Sequence, residues 1–256
     1  MALRIFNKLR RFYLRAISDS DTLKYFFKSP LKSFKYSTYF KVYDQLFYPY
    51  KNKKITFLEI GVGSGGSLFM WRYFFGKKAR IIGIDLNPEA KKLEKYGFEI
   101  FVGSQKDKKF LQEVKKKIGK IDIILDDGGH MYDQQIITTE FFIGSVNDGG
   151  MVVIEDTHSS YVNGFGSSRF SFIKYVKELI DKINNRFCFL NKKLSEKKIW
   201  SLEIFESFVV FKINRKALNI KSFPIQNKGK FIYKSEDFRY KDKNKVDLKR
   251  YFVRNK

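Results

Sequence analysis

Cysteine is almost absent from this 256-residue chain: there is one, Cys188, so an intrachain disulfide framework and a cysteine-rich zinc site are both excluded. That scarcity fits a reducing, cytoplasmic setting. Prolines number four and are too scattered to mark a linker. No run approaches the roughly 20 apolar residues that span a bilayer, and no internal repeat is visible. Acidic residues are few, 27 against 51 Lys and Arg, giving a formal charge of +24. Such an excess ordinarily points to nucleic acid or another anionic surface. Its distribution argues otherwise. Residues 1–56 carry 13 basic and 3 acidic side chains, residues 213–256 carry 14 and 4, and the long centre is nearly balanced. The 28 Phe and 15 Tyr, with abundant Lys and Asn, also fit an AT-rich coding bias, so single Phe or Lys residues carry little weight.

The opening MALRIFNKLRRFYLRAI has a basic start but neither an uninterrupted apolar core nor a small-residue cleavage site, which does not read as a secretory signal. Leu3, Phe6, Leu9, Phe12 and Ile17 recur at helical steps between basic residues, as in an amphipathic helix that docks on a partner or lies on a membrane surface.

From Lys54 onward the pattern is regular. Strands are predicted at 55–60, 79–84, 98–102, 121–125 and 151–154, and helices at 67–75, 88–96, 108–118 and 134–146. Five such units in succession imply an α/β fold with a mostly parallel sheet and helices on both faces. A further helix is expected over 170–184, then strands 199–205 and 207–213, whose near-contact permits only an antiparallel hairpin. Three regions follow: a basic helical arm at 1–53, an α/β domain at 54–213, and a basic tail or edge-covering arm at 214–256.

The first strand ends in LEIGVGSGGS, with Gly61, Gly63, Gly65 and Gly66 just before a helix. In an open α/β sheet this turn lies at the carboxyl edge where ligands bind, and its glycines admit a ligand close to the backbone. Asp85 ends the second strand, where a carboxylate can accept both hydroxyls of a ribose. A dinucleotide is disfavoured, because Glu59 stands two residues before the first glycine, where an acid suits a cation and opposes a phosphate. Glu59-x-Gly61-x-Gly63-x-Gly65 resembles the first motif of class I S-adenosylmethionine-dependent methyltransferases, and the terminal hairpin matches the reversed strand of that seven-stranded, Rossmann-like fold. The resemblance covers about 55–213. It implies cofactor contacts from Glu59, Gly61, Gly63, Ser64, Gly65, Asp85, Leu86 and Gln105.

Both histidines follow acidic strand ends: Asp126-Asp127-Gly128-Gly129-His130 after the fourth strand and Glu155-Asp156-Thr157-His158 after the fifth. Neighbouring strands lie about 4.8 Å apart, so these carboxylates converge and repel unless a cation or protons neutralise them. Oxygen ligands without cysteine point to Mg²⁺ or a similar divalent ion. His130 has the chemistry of a general base, since an imidazole ordinarily titrates at about pH 6.5.

The pair DDGGH and IEDTHSSY resembles the metal-dependent sugar O-methyltransferases of macrolide tailoring, of the mycinamicin and macrocin type, and the related rhamnosyl O-methyltransferase/cephalosporin hydroxylase-like group. By position, the resemblance implies Asp127, Glu155 and Asp156 as metal ligands, with His130 as base and Asp127 at the reacting centre. It places Asp126 nearer the cofactor, and His158 and Tyr161 in the sugar pocket. Segment 33–47 looks like the family's stretch that folds over the cofactor, with Tyr39 in contact.

The expected function is methyl transfer to a sugar hydroxyl, on a nucleotide-activated deoxysugar or heptose for a bacterial surface polysaccharide, in a homo-oligomer. The basic ends could meet the diphosphate, and no nucleic-acid partner is expected. The alternatives are an RNA or other small-molecule methyltransferase, or a non-catalytic binding protein. Against an RNA or DNA base as substrate, Asp126-Asp127-Gly128-Gly129 stands where base-amine methyltransferases usually carry Asn/Asp-Pro-Pro-aromatic.

Overall fold

The computed structural model describes residues 19–187, 190, 195–230 and 243–251. The amphipathic segment 1–17 and Cys188 lie outside them. The described residues up to Ser222 belong to one compact unit and those from Phe223 to another. No described helix is long and apolar enough to cross a membrane.

The first unit opens with helices α1 (Asp21–Lys28) and α2 (Tyr39–Phe47). It continues β1 (Thr56–Ile60), α3 (Gly66–Phe75), β2 (Arg80–Asp85), β3 (Glu99–Val102), α4 (Lys108–Ile118), β4 (Ile121–Asp126), α5 (Tyr132–Phe142) and β5 (Val146–Ile154). Helix α6 (Phe172–Asn184), β6 (Ser201–Phe205), β7 (Phe208–Lys212) and the short α7 (Arg215–Leu218) complete it. The seven strands run in the order β3-β2-β1-β4-β5-β7-β6. All pair in parallel except β7, antiparallel to both β5 and β6. The sequence-predicted hairpin is therefore present, turning at Glu206-Ser207, with its second strand inserted between β5 and β6. The strand order reverses between β1 and β4, which sets the ligand crevice at the carboxyl ends of these two strands.

Alternation along the strands builds two cores. Phe57, Ile123, Leu125, Met151, Val153, Phe208 and Val210 face one side. Leu58, Ile124, Val152, Ile154, Val209 and Phe211 face the other, against Leu111 and Val114 of α4 and Phe172 and Val176 of α6. The first side is closed by α1, α2 and α3, with Tyr43, Phe47, Trp71 and Phe75 in edge-on, tilted and stacked contacts. Thr22 ties α1 to α2, its amide donating to Asp44 Oδ1 at 3.0 Å and its hydroxyl to the Phe40 carbonyl at 3.1 Å.

Two elements differ from the sequence expectation. Residues Pro88–Tyr96 form a 3₁₀ helix, whose three-residue repeat suits burial of Ala90 and Leu93 alone on one side. Helix α5 runs from Tyr132 to Phe142 and gives way to a 3₁₀ turn at Ile143–Ser145, so Val146 begins the next strand.

Candidate active site

The carboxyl ends of β1, β2 and β4 border a cavity of about 700 Å³. Its floor is the glycine turn Gly61–Ser64 with Ser67, its flank is Asp85, Leu86 and Gly103–Gln105, and its far wall is Asp127–His130 with Gln134 and Asp156. Lys32, Ser33 and Phe34 of the arm form the remaining side.

Gly61 has φ +85°, and a Cβ there would stand 2.2 Å from the Asp127 carbonyl oxygen, so the two ligand-bearing turns meet backbone to backbone. Asp85 braces the first turn: Oδ2 accepts from the amides of Val62 and Gly63, each at 2.9 Å, and Oδ1 from Asn87 at 2.8 Å. A carboxylate has about four lone-pair sites, so Asp85, with three taken, keeps capacity for one further donor such as a ribose hydroxyl. Gly66, at the start of α3, lies under the arm; a Cβ there would come within 2.5 Å of the carbonyl oxygens of Leu31 and Lys32. The arm is therefore packed backbone-close against the helix N-terminus.

Glu59, Asp126 and Gln105 sit behind the cavity surface or at its edge. Buried Glu59 accepts from Ser67 Oγ at 2.9 Å, while its Oε1 has no hydrogen-bond partner. Asp126 is buried and accepts from Gln105 Nε2 at 3.1 Å and from the Gly128 amide at 3.1 Å; Gln105 Oε1 accepts from Gly129 at 3.3 Å. Gln105 thus holds the Asp126–Gly129 turn while also lining the cavity.

Burial pushes the Glu59 carboxyl up to about 7, with the Lys35 charge pulling the other way. The unfolded chain releases this proton near 4.5 and the folded protein keeps it to about 7. The stability contributed by the neutral acid is therefore full below pH 4.5 and lost as pH rises through 7. Glu59→Gln has no such proton to lose. Urea unfolding at pH 5 and pH 8 is expected to show the variant gaining on the unsubstituted protein, by up to roughly 3 kcal/mol at the higher pH; an unchanged difference would contradict it.

At the far wall, one ligand atom each from Asp127, His130 and Asp156 lies within 4.8 Å of the others. His130 Nε2 is 3.3 Å from Asp156 Oδ2. Tyr39 donates its phenol proton to Asp156 and lies 2.9 Å from Ser207 Oγ, which is 2.6 Å from His158 Nδ1. Among the described residues four non-glycines have positive φ, and three of them, His130, Asp156 and Ser207, meet here. Backbone strain is thus concentrated on the residues that bear chemistry. His158 and Tyr161 lie on the 3₁₀ segment Thr157–Tyr161, with Tyr161 74% exposed; neither lines the cavity, and nor does Tyr39.

Sequence reasoning missed how the arm enters this wall. Lys35 reaches Asp127 and both oxygens of Glu155, the latter at 2.9 and 3.1 Å, and Tyr43 donates to Glu155 Oε2 at 2.7 Å. Burial opposes the Lys35 charge, but the Asp127 and Glu155 carboxylates outweigh it and hold the ammonium above the ordinary lysine range. Burial raises the carboxyls of Glu155, Asp127 and Asp126; the Asp127 charge adds to the rise at Glu155, and Lys35 opposes it at Glu155 and Asp127. Lys35, Tyr39 and Tyr43 follow one another at four-residue steps, the spacing that aligns Tyr39 and Tyr43 on one face of α2. That period groups Tyr39 with Tyr43 and gives no sign that Lys35 is buried.

Residues 58–157, spanning the glycine turn and both acidic strand ends, match the family described as "Methyltransferase domain". This region is a class I methyltransferase domain. Demethylmacrocin O-methyltransferase of Streptomyces fradiae is 32% identical over 157 residues, which are 56% of this chain and 39% of that protein. Mycinamicin VI 2''-O-methyltransferase of Micromonospora griseorubida is likewise 32% identical over 157 residues, with 56% and 39% covered. The solved structure of the MycE methyltransferase from the mycinamycin biosynthetic pathway, in complex with Mg and SAH, superposes with a TM-score of 0.69 at 26% identity, covering 80% of this chain and 56% of that one. The chain thus spans about two fifths of the length of these curated relatives. The fold is similar to that of MycE, and the sequence similarity extends to the sugar O-methyltransferase group that the acidic motifs resemble.

Proposed function

We propose that this chain transfers a methyl group from S-adenosylmethionine to a sugar hydroxyl, assisted by a divalent cation, Mg²⁺ by its chemistry. The observation that carries the reading is the convergence of Asp127, His130 and Asp156 on the wall of the cavity formed by the glycine turn. Two carboxylates with an imidazole beside them suit a hard ion that retains water or acceptor oxygens in its shell. Relatives of this chain are a demethylmacrocin O-methyltransferase and an 8-demethyl-8-alpha-L-rhamnosyl tetracenomycin-C 2'-O-methyltransferase, and MycE has been solved with Mg, SAH and mycinamycin VI.

In the cofactor end of the cavity, Asp85 takes a ribose hydroxyl, the amides of Val62–Ser64 and the side chain of Leu86 pack against the nucleoside, and Gln105 meets the base. S-adenosylmethionine supplies an electrophilic methyl group. Asp127 and Asp156 would hold the ion, which when bound would supply positive charge to orient an acceptor diol and acidify its hydroxyl. His130, held by Asp156, accepts the proton of that hydroxyl, which leaves an oxygen electron pair directed at the methyl carbon. The arm excludes water from the side occupied by Lys32–Phe34. His158 and Tyr161, on the exposed segment after β5, contact the sugar from outside the cavity.

The acceptor is a nucleotide-activated deoxysugar or heptose for a bacterial surface polysaccharide. Incubation with methyl-labelled cofactor and a panel of nucleotide sugars, free glycosides and RNA, with and without chelator, tests the reading. Chelator-sensitive label on a nucleotide sugar is expected. Label on RNA alone would replace the sugar assignment, and transfer indifferent to chelation would remove the ion.

A further inference from the structure

The parallel strands β3, β2, β1 and β4 stand side by side, so the segments that lead into them meet at the amino edge of the sheet, opposite the cavity. Three of these segments, 51–55, 76–79 and 115–120, carry three, two and four lysines and no acidic residue. They are neighbours in space. A Cβ on Gly76 would stand 2.8 Å from Asn52 Oδ1, and Arg80, just past the second segment, donates to the Ile118 carbonyl at 2.8 Å. Lys53, Lys54, Lys77, Lys78, Lys116 and Lys120 are exposed, and among the described residues none of them pairs with a carboxylate. The acidic groups that reach this edge are each engaged: Asp21 by Lys51, Glu99 by Arg80, Asp122 by the Thr56 amide and Asn147, and Asp148 by Arg215. The carboxyl edge has the opposite character, with Asp85, Asp127, Glu155 and Asp156. An AT-rich coding bias sets composition and does not sort lysines to one end of the strands.

We propose that this lysine face is a docking surface for an anionic lipid bilayer. Lysines without arginine, spread over a row of strand entries, attract a charged surface as a whole and offer no fork to a particular phosphate. Tyrosines flank the row. Exposed Tyr48 has the Lys51 ammonium 5.5 Å from its ring, and exposed Tyr96 has that of Lys95 at 4.9 Å. Such rings suit the bilayer interface, where one end is apolar and the other wet. The start of the chain supplies the apolar part. Helix α1 begins at Asp21, which bonds Lys51, so segment 1–17 joins the described residues beside this face. By sequence that segment has Arg4, Lys8, Arg10, Arg11 and Arg15, no acid, and apolar residues at helical steps. Binding at an interface strengthens with buried apolar area and with attraction to anionic lipid, and here both would act at one edge. Docked in this way, the protein opens its cavity away from the bilayer, free to exchange S-adenosylmethionine and a soluble acceptor.

The test is flotation of the full chain with increasing amounts of phosphatidylcholine vesicles, alone or mixed with phosphatidylglycerol. Binding to the mixed vesicles only is expected, weakening as salt is raised. Lys53→Gln, Lys54→Gln, Lys77→Gln and Lys78→Gln together are expected to weaken it by roughly 10²–10³-fold, since a lysine near an anionic bilayer contributes about fivefold. The same charge is removed at the other end of the strands by Lys106→Gln, Lys108→Gln, Lys109→Gln and Lys174→Gln, all exposed. That variant is expected to bind within about threefold of the unsubstituted protein, because a strand's length of roughly 17 Å exceeds the screening length. Amine acetylation of the unsubstituted protein, mapped by mass spectrometry, needs no variant. Mixed vesicles are expected to protect Lys53, Lys54, Lys77 and Lys78 and to leave Lys108 and Lys109 labelled. Equal losses in the two variants, or equal protection of the two sets, would show attraction by net charge without a face and overturn the proposal. Binding to a single-stranded RNA without binding to mixed vesicles would put nucleic acid in place of the bilayer and overturn it as well.

Discussion

Replacing His130 by asparagine is expected to lower the rate of methyl transfer by roughly 10²–10⁴-fold, the range for loss of a positioned general base. Asparagine is the informative choice because His130 sits at φ +56°, a backbone region that asparagine tolerates and alanine does not. The variant keeps the turn and removes the base. S-adenosylhomocysteine affinity, measured by calorimetry, is expected to stay within about threefold, because the residues proposed to hold the nucleoside lie across the cavity at Gly61–Ser64, Asp85 and Gln105. Equal losses of rate and cofactor affinity would show that His130 shapes the cavity and does not serve as the base.

Lys35→Met is expected to be the most destabilising of the single substitutions considered, by about 3–5 kcal/mol in urea unfolding, because it strands Glu155 as an uncompensated charge in the interior. Against a total stability of about 5–15 kcal/mol for a folded domain, that is a large share. An exposed pair gives the contrast: Lys92 and Glu89, with side chains 71% and 67% exposed, form an ion pair on the 3₁₀ segment, and Lys92→Met is expected to change stability by under about 1 kcal/mol. If Lys35→Met unfolds at the same denaturant concentration as Lys92→Met, Glu155 is not the buried charge described here.

The strands and the acidic turns were legible because their signals are local. Apolar runs of four to six residues ending in Gly61, Asp85 or Asp127 state both the element and the edge to which it delivers its last side chain. The hairpin at Glu206-Ser207 was legible for the same reason, since so short a connection leaves no other geometry. What escaped notice depends on contacts between residues far apart in the chain. Lys35 is one of 51 basic residues, and no composition or spacing argument marks it as the one that is buried. Its partners are 92 and 120 positions away. Convergence of the carboxylates called for a cation, and the chain supplies one from its own arm. Ser207 was invisible because its place beside Tyr39 and His158 follows from the insertion of β7 next to β5. The helix expected at 88–96 became 3₁₀ because its burial pattern, Ala90 and Leu93, satisfies a three-residue repeat as well as an α-helical one.

The aromatic core on one side of the sheet is closed by α1 and α2 together with α3. The charge boundary near residue 53 therefore does not mark a separable module. A transplant of 54–213 alone would carry an open apolar face where Tyr43 and Phe47 had been, and would lose the lysine that partners Glu155. Recombination in nature or in the laboratory has to move the basic arm and the methyltransferase domain as a single heritable block.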